Sequence, residues 1–453
     1  RRIVKTIEHL FGTMGILLLA TFLHLVTSAT ALGVNYGMIA DNLPSPYEVA
    51  NFIKTKTIFD SVKIFDTNHD VLRAFANTDI SVTVTVANGE IPSLTNARAA
   101  RRWVNNHIRP FYPQTKIKYI SVGNEILLFN VQDQINNLVP AMKSLHLALA
   151  KAGIRGIKVT TAHALNIFNG DSVPSLARFR QDYAKSFFAP LLLFLRRTKS
   201  PFMINPYPYF ELNAMGNKLD YALFKRNPGL FDKHSGKTYT NALDALLDKT
   251  HSAMSAIGCG DVDIVIGETG WPSQGDGGNL VATVGNALSY NRNLVREILS
   301  GNGTPLMPNR RFETYIFALF NENQKPGPLA ERNWGLFRPD FTPVYNVGVL
   351  RNGQPMPRPA IRAPSSKKFC VPKPGVTDAQ LQSNLDYACS QGANCSPIQP
   401  GGPCAQPGTV RSRATFAMNS YYRNKGQADN ACDFSGTAQI TTADPSYGNC
   451  HYP

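Results

Sequence analysis

Short apolar runs recur along the chain, separated by longer stretches with helical spacing. Between Leu32 and Leu350 eight such runs stand out: Leu32–Tyr36, Ser61–Phe65, Ser81–Val86, Lys118–Val122, Lys158–Thr161, Pro201–Ile204, Asp263–Ile266 and Thr314–Phe320. The intervening segments carry the helical period. Ala97, Ala100, Val104 and Ile108 share one face, as do Ile135, Leu138, Met142, Leu145 and Leu149. Strand alternating with helix predicts parallel strands joined by right-handed crossovers. Eight units fit an α/β fold of the closed (β/α)8 TIM-barrel type better than an open sheet. No dinucleotide fingerprint or phosphate loop follows the first run, which weakens the open-sheet alternative.

The residues just past each run carry the chemistry. They include Asn35-Tyr36-Gly37, Asp66-Thr67-Asn68, Asn88-Gly89-Glu90, Asn124-Glu125, His163, Asn205-Pro-Tyr207-Pro-Tyr209, Glu268-Thr-Gly-Trp271-Pro272 and Asn321-Glu322-Asn323. Barrel enzymes build their sites at these C-terminal strand ends. Strand termination and helix capping account for Asp66 and Asn68. They do not account for several glutamates and aromatic rings at equivalent ends. Glu125 and Glu268 each close an apolar run, so two rigid strands deliver two carboxyl groups. Cleavage of a glycosidic bond needs such a pair: one group donates a proton, while the other attacks or activates water.

Composition and charge narrow the class. The chain has 453 residues, of which 43% are hydrophobic, enough for one large domain with an appendage. Its net charge of +15 is scattered, with only short pairs such as Arg101-Arg102 and Lys367-Lys368. Nucleic-acid binding would want a stripe or cluster, so no nucleic-acid partner is expected. A diffuse positive field suits an acidic matrix or surface. Arg1, Arg2 and Lys5 precede an apolar core from Gly15 to Val26, and Ala29-Thr30-Ala31 is a small-x-small cleavage site. Residues 1–31 therefore read as a secretory leader, its apolar core too short for a comfortable membrane span. No apolar tail precedes Pro453, so neither a lipid anchor nor a stable membrane anchor is expected. Residues 351–369 hold Pro355, Pro357, Pro359 and Pro364 without an apolar period and read as a linker. Six of the seven cysteines lie between Cys370 and Cys450, the signature of a disulfide framework in a secreted chain. Their spacing alone leaves the pairing open. Cys259 stands apart and reads as a buried, inert thiol. The barrel shows no paired His/Cys spacing and the tail no zinc pattern, so neither a metal nor a cofactor is expected.

Asn124-Glu125 and Glu268-Thr-Gly-Trp-Pro272 occur together with Gly33-Val-Asn-Tyr-Gly37 and Phe320-Asn-Glu-Asn-Gln-Lys325. With these motifs, residues 32–350 resemble the plant β-1,3-glucanases of glycoside hydrolase family seventeen. The resemblance implies a retaining endo-hydrolase whose acid/base ends strand four and whose nucleophile ends strand seven. By that carry-over Glu125 is the acid/base and Glu268 the nucleophile. Glu322 and Lys325 match a further pair that adjusts the catalytic charges. Tyr36, Asn124, Asn205 and Tyr207 match positions lining the glucan groove, where amides suit hydroxyls and aromatic faces stack on pyranose rings. Trp271 is a further stacking candidate, with packing of the barrel top as its other reading. His163 and Trp334 read as wall residues.

The tail, residues 370–453, resembles the X8 domain, a carbohydrate-binding module of family forty-three. Matching features include Leu385-Asp-Tyr-Ala-Cys389, Gly401-Gly-Pro-Cys404, Cys432-Asp-Phe434 and Tyr447-Gly-Asn-Cys450. The resemblance implies β-1,3-glucan binding and the pairings Cys370–Cys432, Cys389–Cys450 and Cys395–Cys404. Phe369 stands where many relatives carry Trp. Tyr387, Phe416, Tyr421, Tyr422, Phe434 and Tyr447 are the candidate sugar-stacking rings, at least half of them core. The sequons Asn302-Gly-Thr304 and Asn394-Cys-Ser396 are each followed by Pro, which predicts poor occupancy. The whole reads as a secreted monomer of the cell wall or vacuole acting on β-1,3-glucan. Defence, callose turnover and pollen or wall remodelling all fit. The alternatives are a non-catalytic glucan-binding wall protein and a glucanase or transglycosylase of different linkage preference.

Overall fold

The computed structural model describes residues 31–170, 173–216, 218–351, 368–425, 427 and 429–452. The leader (save Ala31) and most of the expected linker lie outside the described residues. The chain divides into two compact units, Arg1–Gln354 and Pro355–Pro453.

In the first unit eight described strands close into a barrel in chain order: β1 (Leu32–Tyr36), β2 (Ser61–Ile64), β3 (Ser81–Val86), β4 (Ile117–Asn124), β5 (Lys158–His163), β6 (Phe202–Ile204), β7 (Ile264–Thr269) and β8 (Thr314–Ile316). Every neighbouring pair is parallel, and β8 closes on β1 through Leu32↔Thr314, Gly33↔Tyr315 and Val34↔Ile316. The strands are buried on both faces, as parallel strands under a helical layer must be. Tyr119, Ala162, Met203, Val265 and Tyr315 fill part of the interior. Tyr119 and Tyr315 both donate their hydroxyls to Glu313. A Cβ on Gly33 would lie 2.7 Å from the Tyr315 ring, so only glycine lets that ring fill the barrel.

Helices enclose this sheet with ordinary start signals. Helix α1 (Pro46–Lys56) opens on a Ser45/Glu48 capping box. Asn96 caps α2 (Ala97–His107), which buries Ala100, Trp103 and Val104 but leaves Ala97 exposed. Helix α3 (Gln132–Lys151) buries Ile135, Leu138, Met142, Leu145 and Leu149, the face its spacing predicts.

Two features differ from expectation. Strand β8 ends at Ile316; beyond it the Phe317 and Leu319 N–H groups still reach Thr269 O of β7 and Asn35 O of β1, while the chain takes a second partner. The Ala318 N–H donates to Trp334 O, and the Leu336 N–H to Ala318 O. Between β6 and β7 the chain also makes an antiparallel hairpin, Leu230–Asp232 with Lys237–Tyr239. Asp232 accepts the His234 and Ser235 N–H groups there, and Gly236 takes φ 67°. Side chain and glycine together reverse the chain.

The second unit pairs β9 (Phe369–Pro372) antiparallel with β10 (Ala438–Thr441) beside α4 (Asp378–Ser390) and α5 (Val410–Asn424). Its disulfides are Cys370–Cys432, Cys389–Cys395 and Cys404–Cys450. Two of these replace the expected Cys389–Cys450 and Cys395–Cys404. After α4 the chain turns back through Gly392 at φ 89°, and the Ala393 N–H bonds Ala388 O. That return brings the Cys395 Cα within 5.9 Å of Cys389. Tyr447 donates its hydroxyl to Gln406 O, holding the Cys450 turn against the loop of Cys404. Phe369 is buried in this core, as are Phe416 and Tyr422, so none of the three presents a ring to ligand. Tyr387 is half-exposed and sits with Tyr421 and Phe434 in one aromatic group.

Candidate active site

The C-terminal end of β4 breaks sharply. Gly123 takes φ 72° and Glu125 φ 54°, left-handed backbone on either side of Asn124. For a glutamate that conformation is uncommon and strained, and such strain gathers at functional sites. The surroundings hold it: the Glu125 N–H donates to Ala162 O, and its carbonyl accepts Leu128 N–H. Asn88 pins Asn124 through both of its backbone groups. The Glu125 carboxyl is thereby presented at the barrel mouth.

Across the mouth, Glu268 projects from β7 and is buried. Its Oε1 accepts the Lys63 Nζ at 2.9 Å, and its Oε2 accepts the Tyr207 hydroxyl at 2.9 Å. Both oxygens accept hydrogen bonds, the arrangement made by an ionised carboxylate. The segment after β6 touches both acids. Asn205 donates its Nδ2 to Glu125 Oε1 at 2.9 Å, and Tyr207, two residues on, serves Glu268. A Cβ on Gly267 would stand 2.6 Å from Asn205 Oδ1, so glycine there leaves room for the amide.

The two carboxyls sit in opposite environments. Burial above all, and then the nearby Glu268 charge, push the Glu125 carboxyl up to about 7, against the Asn205 hydrogen bond and the charges of Lys63 and Lys325. One acid is thus placed to hold a proton near neutrality, while its partner is clamped by a lysine.

Both acids line one cleft of about 680 Å³, together with Asn124, Asn205, Tyr207, Glu322, Lys325 and Trp334. Glu322 is buried, accepts the Ile39 N–H, and is pushed upward chiefly by burial. A Cβ on Gly37 would strike its carboxylate. Lys325 does not pair with the Glu322 side chain; it bonds Glu331 at 3.1 Å and lies 4.5 Å over the Phe317 ring. Phe129 and Phe210 expose their rings in the cleft, 62% and 57% accessible, and offer apolar faces to a sugar.

Two expected residues fall outside it. Tyr36 is buried edge-on against Phe320. Trp271 is fully buried, donates its indole N–H to Val281 O, and packs on Tyr209 and Tyr290. Neither ring can stack on a ligand, and each serves the barrel top. His163 is also fully buried, stacked on Phe202, and held neutral by burial that pushes it down to about 3. Lys63 and Glu331 were not anticipated. Lys63 was visible as a charge inside the apolar run Ser61–Phe65; nothing in the sequence marked Glu331. Among the described residues no His, Cys, Asp or Glu cluster is arranged for a metal ion, and no helix is long and apolar enough to cross a membrane.

Comparison with known proteins gives the lineage of this geometry. The family model "Glycosyl hydrolases family 17" matches residues 32–349, and the X8 domain model matches residues 368–439. A glucan endo-1,3-beta-glucosidase of Triticum aestivum is 46% identical, covering 94% of this chain and 95% of its own. A glucan endo-1,3-beta-D-glucosidase of Olea europaea is 42% identical over 96% of each. The solved β-1,3-glucanase and allergen of Cryptomeria japonica pollen is 45% identical, with TM-score 0.67, covering 71% of this chain and 99% of its own. The chain therefore belongs to glycosyl hydrolases family 17 and carries a C-terminal X8 domain.

Proposed function

We propose that this protein is a retaining endo-β-1,3-glucanase, with Glu268 as nucleophile and Glu125 as acid/base. The observation that carries the reading is the contrast between two carboxyls in one cleft. Glu125 is desolvated and raised to about 7, whereas Glu268 is clamped by Lys63 and Tyr207. One Glu268 oxygen attacks the anomeric carbon as the bond to the leaving sugar breaks, and Glu125 gives its proton to the departing oxygen. Water then attacks the same carbon, Glu125 takes its proton, and the ester bond to Glu268 breaks. Asn205 orients Glu125, and Lys63 and Tyr207 orient Glu268. Glu322, Lys325 and Glu331 set the surrounding charge. The Triticum and Olea enzymes are named for 1,3-β-glucan cleavage, which supports the same linkage here. A non-catalytic scaffold would have no use for a strained Glu125 raised to about 7 beside a carboxylate clamped by a buried lysine.

The X8 domain is read as binding the same polymer, with half-exposed Tyr387 and its neighbour Tyr421 as contact rings. Residues 1–31 are read as a secretory leader and 351–369 as a linker. The three disulfides support an oxidising destination, the cell wall or vacuole, for a monomeric enzyme. Reducing-end release from laminarin tests the activity. The wild-type chain is expected to generate oligosaccharides, and no release above Glu268→Gln would overturn the reading.

A further inference from the structure

Lys63 belongs to the site although no recognised motif supplies it. Its ammonium is fully buried on β2, 2.9 Å from Glu268 Oε1 and 4.1 Å from the Phe65 ring centre. A buried cation is costly unless paired, and its pairing here is with the group that becomes an ester during turnover. Once Glu268 is esterified it has no negative charge to offer. The lysine remains in place, because its backbone lies in the middle of a barrel strand.

Building on the assignment of Glu268 as nucleophile, we propose that Lys63 is a positioning residue with two successive duties. In the free enzyme it holds Glu268 ionised and aimed; in the covalent intermediate its freed charge favours the ionised form of Glu125, the form that takes a proton from water.

The charges around Glu125 make the direction definite. Glu268 on β7 disfavours its ionised form. Lys63 on β2, Lys325 on the loop after β8 and the Asn205 amide after β6 favour it. Esterification deletes the Glu268 charge and leaves the other three. Lys325 is already engaged by Glu331, and Glu322 lies on that same side. Lys63 is thus the cation whose own partner is consumed by the first chemical step. One lysine serves both half-reactions, and proton affinity at Glu125 falls when its role changes from acid to base.

The test traps the intermediate with 2,4-dinitrophenyl 2-deoxy-2-fluoro-β-laminaribioside. It then follows reactivation in water against pH for the wild type, Lys63→Met and Lys63→Arg. Peptide mapping of the label is the control on the underlying reading: a label away from Glu268 overturns that reading and the proposal with it. With the label on Glu268, the wild-type reactivation rate should rise with pH along a limb clearly below that of the free enzyme. In Lys63→Met this limb should move up by about one unit, slowing reactivation about tenfold on its acid side. Azide, which needs no general base, should restore that rate, and Lys63→Arg should stay near wild type. An unshifted limb in folded Lys63→Met overturns the proposal while leaving the glucanase reading intact. If Lys63→Met fails to fold, the wild type alone decides: a trapped-state limb at or above the free-enzyme limb overturns the proposal.

Discussion

At the scale of single residues, Glu125 and Glu268 were legible because each ends an apolar run, and a strand fixes where its last side chain points. Their supports were less so. Lys63 meets Glu268 across 205 residues of sequence, a distance no local pattern bridges. Tyr36 was misread, and Trp271 stood between two readings, because an aromatic at a strand end can face the mouth or the helical layer, and packing decides between them. The two carboxyls predict opposite stability effects. Glu125 rises from an ordinary 4.5 to about 7, so its contribution is fully present below 4.5 and lost as pH climbs through 7. Glu125→Gln should therefore raise the melting temperature at pH 8 and change it little at pH 4. Glu268→Gln strands the buried Lys63 charge and should lower it, with a cost on the order of 3–5 kcal/mol. Thermal melts at both pH values check the pair. In kinetics, kcat/KM on laminarin should fall as pH rises through about 7, where Glu125 loses its proton. Lys325→Met removes a charge that favours the ionised form, so that limb should move to higher pH; a downward shift would contradict the assignment.

At the scale of elements, the barrel strands were readable because fully buried parallel strands appear as short apolar runs between helical periods. The hairpin at Leu230–Tyr239 escaped because Leu230, Phe231, Lys237 and Thr238 are not buried, leaving no apolar alternation to see. Strand β8 was drawn too long because Phe317–Phe320 are as apolar as the strand itself, yet from Ala318 onward they also pair with 334–337. The element that joins the two acids is the segment after β6, held by close approach to Gly267. Gly267→Ala should push Asn205 off Glu125 and reduce kcat on laminarin at least about tenfold. The fold should survive, as circular dichroism will show. Unchanged kcat would mean Asn205 does not position the acid.

At the scale of the whole molecule, the division into a barrel unit and a cysteine-rich unit followed from composition. The disulfide pairing did not, because sequence spacing says nothing of which turns fold back. Tyr387→Ala combined with Tyr421→Ala should reduce activity on insoluble β-1,3-glucan severalfold and leave soluble laminarin unaffected, since only the former rewards tethering. Equal effects on both substrates would place those rings in a structural role. The account as a whole stands on the two glutamates having distinct roles on opposite faces of one bond. Azide rescue of Glu268→Ala and Glu125→Ala with 2,4-dinitrophenyl β-laminaribioside, read by the anomeric configuration of the product, tests this most directly. The account predicts an α-glycosyl azide from Glu268→Ala, where azide fills the nucleophile's place, and a β-glycosyl azide from Glu125→Ala, where azide opens the ester. The reverse pattern, or no azide adduct from either variant, would contradict it.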